Sequence, residues 1–143
     1  MDFLSDAVLI DTSAIIALND PKDQYHVSAI DFFNTRIDSV QWVVLNSTKH
    51  ESFTRARYRL NFDKAISIYD FLSKELIYQV SFKEIDEQKT LNLLRKYKDE
   101  KLSFHDALCA SIMLRLGIYR VFTFDKDFIV FGFDIFPLYK GLI

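Results

Sequence analysis

The stretch VLIDTSAIIALND, Val8 to Asp20, decides how the chain folds. Ala7 to Ile10 is apolar without alternation, as in a strand covered on both faces. It runs into Asp11, Thr12 and Ser13, and then into a helix-like segment from Ser13 to Leu18. A carboxylate is costly to bury without partners. Asp11 therefore either caps the following helix or awaits a positive group, and its immediate neighbours leave both readings open.

Outward from this segment, strands and helices alternate. The turn-like NDPKD, Asn19 to Asp23, leads to a helix over Gln24 to Ile37, with Asp20 and Asp23 placed to cap it. QWVVL, Gln41 to Leu45, is a second strand apolar throughout. Two helices follow, Ser47 to Arg59 and Asp63 to Leu76, divided near Asn61. Ile77 to Phe82 reads as a third strand and Lys83 to Tyr97 as a helix. Ser103 to Leu116 is a strongly apolar helix closed by Gly117. YRVFTF, Tyr119 to Phe124, is the fourth strand, and Phe133 to Phe136 a short fifth. This order predicts an α/β fold with a mainly parallel sheet and helices on both faces.

The bulk composition sets bounds. The 143 residues suffice for one compact domain over 1–143. Half are apolar and 15% aromatic, so a core is well supplied, and three Gly with two Pro leave little material for linkers. A lone cysteine, Cys109, excludes an intrachain disulfide framework and fits a reducing compartment. No apolar run approaches the roughly twenty residues of a membrane span. The opening MDFLSDAV lacks the basic and apolar blocks of a secretory signal, so a soluble cytoplasmic protein is expected. The net charge of −2 argues against nucleic-acid binding by overall basicity. It leaves room for local basicity: RARYR, Arg55 to Arg59, with Lys49 and Lys64 nearby, is either a phosphate-contacting face or an ordinary solvated one.

Acids are placed by the topology. In a parallel α/β layer the strands' carboxyl ends and the helices' N-termini share one edge, where such folds bind ligands. Asp11 ends the first strand, Glu51 lies in the first turn or so of the helix after the second, Asp106 opens the Ser103 helix, and Asp125 follows the fourth strand. Carboxylates brought together raise one another's pKa unless a cation neutralises them. An oxygen-only set suits Mg²⁺ or Mn²⁺, held by Asp11, Asp106 and Asp125 with Glu51 helping. Each acid has a plainer role. Thr48 with Glu51, and Ser103 with Asp106, match capping boxes, and Asp125 can open a turn. Those roles do not explain why all four fall on one edge.

The remaining polar residues are assigned more simply. Thr12, Ser13 and Thr123 can orient a bound water or a ligand carboxylate. Asp127 is given to surface or turn chemistry. His105 is expected to face away if Asp106 faces in, since helical neighbours diverge by about 100°. His26 and His50 read as surface or packing residues, and Cys109 as core. Three histidines and one cysteine give zinc little support. Phe32, Phe33, Phe71 and Leu72 are either core or a partner groove, core being the usual place for apolar side chains.

VLIDTSAIIALNDPKDQYH, NSTKHESFTRARYRL, LSFHDALCASIMLRLGI and VFTFDKDFIVFGF together resemble the PIN domain, and more narrowly the VapC-type toxins of toxin–antitoxin pairs. The resemblance spans nearly the whole chain. It implies a three-layer α/β/α sandwich with a four- to five-stranded sheet and an acidic pocket at its carboxyl edge. The family's acids correspond to Asp11, Glu51, Asp106 and Asp125, and Asp127 is an extra acid at the pocket rim. The implied activity is Mg²⁺- or Mn²⁺-dependent endoribonuclease chemistry leaving a 5′-phosphate and a 3′-hydroxyl. Arg55, Arg57 and Arg59 would meet RNA phosphates, and the implied partners are a small antitoxin and a second copy of the chain. Other readings are a PIN-like binding module, which would lack an acid, and a housekeeping RNA-processing PIN nuclease. An aspartyl phosphatase would want an acid where Ser13 stands, and a receiver domain would want paired acids where Asp11 stands alone.

Overall fold

The computed structural model describes residues 6–137, and the N-terminal stretch read above for a secretory signal lies partly outside them. Its five strands are β1 (Ala7–Ile10), β2 (Gln41–Leu45), β3 (Ile77–Val80), β4 (Arg120–Thr123) and β5 (Asp134–Pro137). They form one sheet in the order β3-β2-β1-β4-β5, with every pairing parallel. Helices α1 (Thr12–Asn19), α2 (His26–Arg36), α3 (Asn46–Arg59) and α4 (Phe62–Leu72) precede β3, and α5 (Glu84–Lys96) and α6 (Phe104–Leu116) follow it. A short 3₁₀ helix, Lys126–Phe131, joins β4 to β5. This is the α/β/α sandwich expected from the sequence.

The unbroken apolar strands serve two cores at once. Side chains alternate across a strand. Val8 and Ile10, with Trp42 and Val44, join Phe32, Ile68 and Leu72 on the α1–α4 face. Ala7 and Leu9, with Val43 and Leu45, join Leu108, Ile112 and Met113 of α6 on the other. Covering both faces removes the polar half of the alternation. Trp42 is fully buried between Phe33 (ring centroids 4.8 Å apart) and Phe122 (6.0 Å), and its indole N–H reaches the Ile37 carbonyl. Phe32, Phe33 and Leu72 are thus core, and Phe71 packs against them, so they form no partner groove.

Several local expectations are corrected. Helix α3 begins at Asn46, so Thr48 lies inside it and forms no capping box with Glu51, which sits in the second turn. Asp20 and Asp23 accept from the N–H groups of Lys22 and Tyr25, folding the turn instead of capping α2. Lys49 is 6% exposed; its Nζ donates to Gln79 Oε1 at 2.6 Å and lies over the Tyr69 ring, out of reach of a substrate phosphate. Gly117 takes a left-handed φ of +72° that ends α6, as its position suggested.

A buried ion pair locks α5 to α6. Asp86 is fully buried and receives Arg115 Nε at 2.7 Å and Nη2 at 3.0 Å. Burial pushes its carboxyl up, but the Arg115 bonds and the Lys83 backbone N–H outweigh that and hold it below the usual range. Removing one partner leaves a charge stranded. Arg115→Ala should destabilise the fold by about 3 kcal/mol. The double change Asp86→Asn, Arg115→Met should recover most of that, as read by urea unfolding.

Candidate active site

The strand order reverses between β1 and β4, which makes their carboxyl ends the place where this architecture opens a crevice. The Asp11 N–H still pairs with the Phe122 carbonyl, while its own carbonyl accepts from Ala14 and Ile15 and starts α1. One residue thus finishes a strand and begins a helix. Its side chain makes no cap. Instead Oδ2 accepts the Thr123 hydroxyl at 2.8 Å and the Ser13 hydroxyl at 2.9 Å. Those oxygens in turn accept backbone N–H groups, Ser13 from Phe124 and Thr123 from Asp125, each at 3.0 Å. The backbone beyond β4 therefore orients Asp11 through two hydroxyls.

The crevice has a volume of about 450 Å³. Asp11, Thr12 and Ser13 line it from one side, Ser103, His105 and Asp106 from α6, and Asp125 and Asp127 from the turn after β4. Glu51 and Arg55 reach it from α3. All four acids singled out by the sequence therefore face one cavity. Ser103 caps α6 by accepting the Asp106 N–H at 3.0 Å, which sets that acid in the first turn, facing the crevice. Asp125 Oδ1 accepts the Asp127 N–H at 2.9 Å, a turn that folds the second acid back beside the first.

That turn brings Asp127, expected as a surface or turn residue or an extra acid at the pocket rim, into the cluster itself. Oxygens of Asp106, Asp125 and Asp127 lie within 4.8 Å of one another, and Asp11 is outside this triple. The signal was present in the DKD spacing, since an Asx turn returns the third residue toward the first. His105 is a second correction. It lines the cavity, with Nδ1 3.3 Å from Glu51 Oε2 and Nε2 3.2 Å from the Ser47 hydroxyl. Glu51 also accepts from Arg55 at 3.0 Å, so cationic or polar neighbours hold both its oxygens. Among the other arginines, Arg57 lies over the Phe62 ring at 4.9 Å, and Arg59 pairs with Asp20 at 3.4 Å and Asp23 at 3.8 Å.

The electrostatics follow from burial and crowding. Burial raises the Asp11 carboxyl, only partly offset by the Thr123 and Ser13 hydroxyls. Burial, and then the charges of Asp11 and Asp125, raise Asp106 to about 7. Asp127 is raised by burial and by Asp125. Burial also pushes the Cys109 thiol well up, which fits a core residue and not a nucleophile. Near neutral pH the pocket needs a proton or a cation. The donors of the Asp106, Asp125 and Asp127 cluster are carboxylate oxygens. A hard divalent cation fits that set.

The raised Asp106 pKa carries a sign. A folded-state pKa above the unfolded one means the native state binds the extra proton, so stability declines as pH rises between the two values. Between pH 5 and 7.5, metal-free protein should lose about 1–2 kcal/mol through Asp106, after allowance for partial solvent screening. Asp86 is already ionised across that window and adds no slope. Asp106→Asn should make the decline shallower, leaving the part due to the raised Asp11 and Asp127 carboxyls, as measured by chemical unfolding at each pH in EDTA.

Comparisons with known proteins bear on the fold and the family. No curated protein matches the chain in sequence. Among solved structures, the Mycobacterium tuberculosis protein VapC20, described as a sarcin–ricin loop cleaving toxin, superimposes with a TM-score of 0.81 at 21% identity, over 88% of this chain and 95% of that one. VapBC2 from Rickettsia felis, bound to a DNA fragment from its promoter, gives a TM-score of 0.69 at 13% identity, over 90% of this chain and 96% of that one. The model of the PIN domain matches residues 8–134, and with its acids gathered at the β1–β4 edge the chain belongs to the PIN-domain family.

Proposed function

We propose that the chain is a Mg²⁺- or Mn²⁺-dependent endoribonuclease of the VapC type, the toxin of a toxin–antitoxin pair. The observation that carries this reading is the acid cluster, three carboxylates within 4.8 Å in a crevice also lined by Asp11. Asp106, Asp125 and Asp127 would hold the cation, with Asp11 beside them. When bound, the cation makes water ionisable near neutral pH and offsets charge on the phosphoryl oxygens.

The chain's own residues do the rest. Ser13 and Thr123 fix the rotamer of Asp11, so no reorganisation is needed when charge arrives. Asp106, with its pKa near 7, gives up its proton as positive charge enters. Arg55 and His105 hold Glu51 at the rim, and Arg55 remains half exposed to meet a substrate phosphate. No side-chain nucleophile is required. The fold shared with VapC20 and VapBC2 supports assigning RNA as substrate and a small antitoxin as partner, with a second copy of the chain as the expected dimer mate.

Purified protein incubated with total cellular RNA should give discrete fragments with Mn²⁺ or Mg²⁺ and none with EDTA. Asp106→Asn, matched for helicity, should lose at least about 100-fold in rate. Thr123→Val should lose about 10- to 100-fold, the usual effect of removing a group that orients a metal-site carboxylate. Intact RNA in every lane, from folded protein free of a copurified partner, would refute the nuclease.

A further inference from the structure

We infer that the outer face of α3 is a binding track for single-stranded RNA, with Tyr58 as a stacking platform for an unpaired base. The inference rests on the nuclease reading and adds the path by which substrate reaches the acids. Three hollows adjoin, two along this face and the third at its C-terminal end. The acidic crevice shares Glu51 and Arg55 with a shallow hollow of about 640 Å³, which also includes Tyr58 and Arg59. That hollow shares Arg59 with a third, of about 650 Å³, bordered by Lys22 and Lys64.

Helix geometry makes the track continuous. Residues 51, 55, 58 and 59 are spaced at four, seven and eight positions, so they follow one stripe of α3. Glu51 and Tyr58 are separated by about 10 Å of helix rise. Tyr58 is 86% exposed, the most of any large apolar or aromatic side chain described. A ring left that open gains most from a partner supplying a flat face. Arg55 and Arg59 flank it on the same stripe, and Lys22 and Lys64 lie beyond.

Charge selects the occupant. Glu51 offsets Arg55, and Asp20 with Asp23 offsets Arg59, so the pairs hold the guanidinium groups in place at the surface. Lys22 and Lys64 add positive charge in the third hollow, where the one acid lining it, Asp20, is paired with Arg59. Cations on both sides of an exposed ring match a backbone of phosphates carrying one splayed base between them. A duplex keeps its bases stacked and offers none to Tyr58, so the track favours unpaired RNA.

The test is equilibrium binding of a short fluorescein-labelled oligouridine in EDTA, with a parallel cleavage lane in Mn²⁺. Tyr58→Ala should weaken binding about 5- to 100-fold, while Tyr58→Phe, which keeps the ring, should bind as the parent does. Removing Lys22 and Lys64 together should reduce the slope of log affinity against log salt by about 1.4. Equal binding by Tyr58→Ala, or no binding by the parent chain, overturns the track. So does a Tyr58→Ala protein whose RNA binding is intact but whose assembly mass changes, since the face then serves another protein. The Mn²⁺ lane judges the nuclease separately: cleavage that persists when the track fails leaves that reading standing.

Discussion

Everything in the site depends on how the carboxylate of Asp11 is held at the end of β1. It is 5% exposed, and its side-chain hydrogen-bond partners among the described residues are two hydroxyls. Two hydroxyls from opposite sides of the β1–β4 junction donate to one of its oxygens, and both are themselves anchored by backbone N–H groups after β4. These bonds do not cancel the desolvation, so the carboxyl stays raised. They fix instead where it points. A buried acid with a defined direction and an unfilled electrostatic demand is the elementary part of a cation site.

The same sequence economy governs α6. Eight consecutive residues from Asp106 to Met113 are buried, an arrangement open only to a helix enclosed by sheet and neighbouring helices. Such a helix can place an acid at its first turn with little freedom to move. Ser103 caps the helix end, and the Asp86–Arg115 pair ties its far end to α5. Position at the site is thus set by contacts well away from it.

The strands and the acid-bearing edge were legible because each leaves a local signature. Doubly covered strands lose their alternation, as in Ala7–Ile10 and Gln41–Leu45, and an acid directly after such a run reports the carboxyl edge. What escaped reading depended on tertiary direction. His105 was set aside on helical angle alone, yet the cavity is wide enough to reach two neighbouring positions at a helix start. Lys49 read as a free cation on a polar helix, but the β3 edge and Tyr69 enclose it. Asp127 reads from sequence as a surface or turn residue, or by resemblance an acid at the pocket rim; the turn is what sets it beside Asp106 and Asp125. Glu51 falls in the second turn instead of the first turn or so, since Asn46 joins the helix ahead of the expected start at Ser47.

The distribution of the acids along the chain also bears on how their repulsion is accommodated. Asp125 and Asp127 are brought together by a local turn whose backbone bond forms between them. Asp11 and Asp106 come from segments far away in sequence and join only when β4 pairs with β1 and α6 packs behind both strands. The electrostatic cost therefore falls on the pairing at the centre of the sheet, where the surrounding strands and helices bury the most apolar surface to offset it. At an edge strand, such as β3 or β5, the same charges would sit on a pairing with half the cover. The central switch point is where the topology opens a crevice, and it is also where the fold can best tolerate the charges that make the crevice useful.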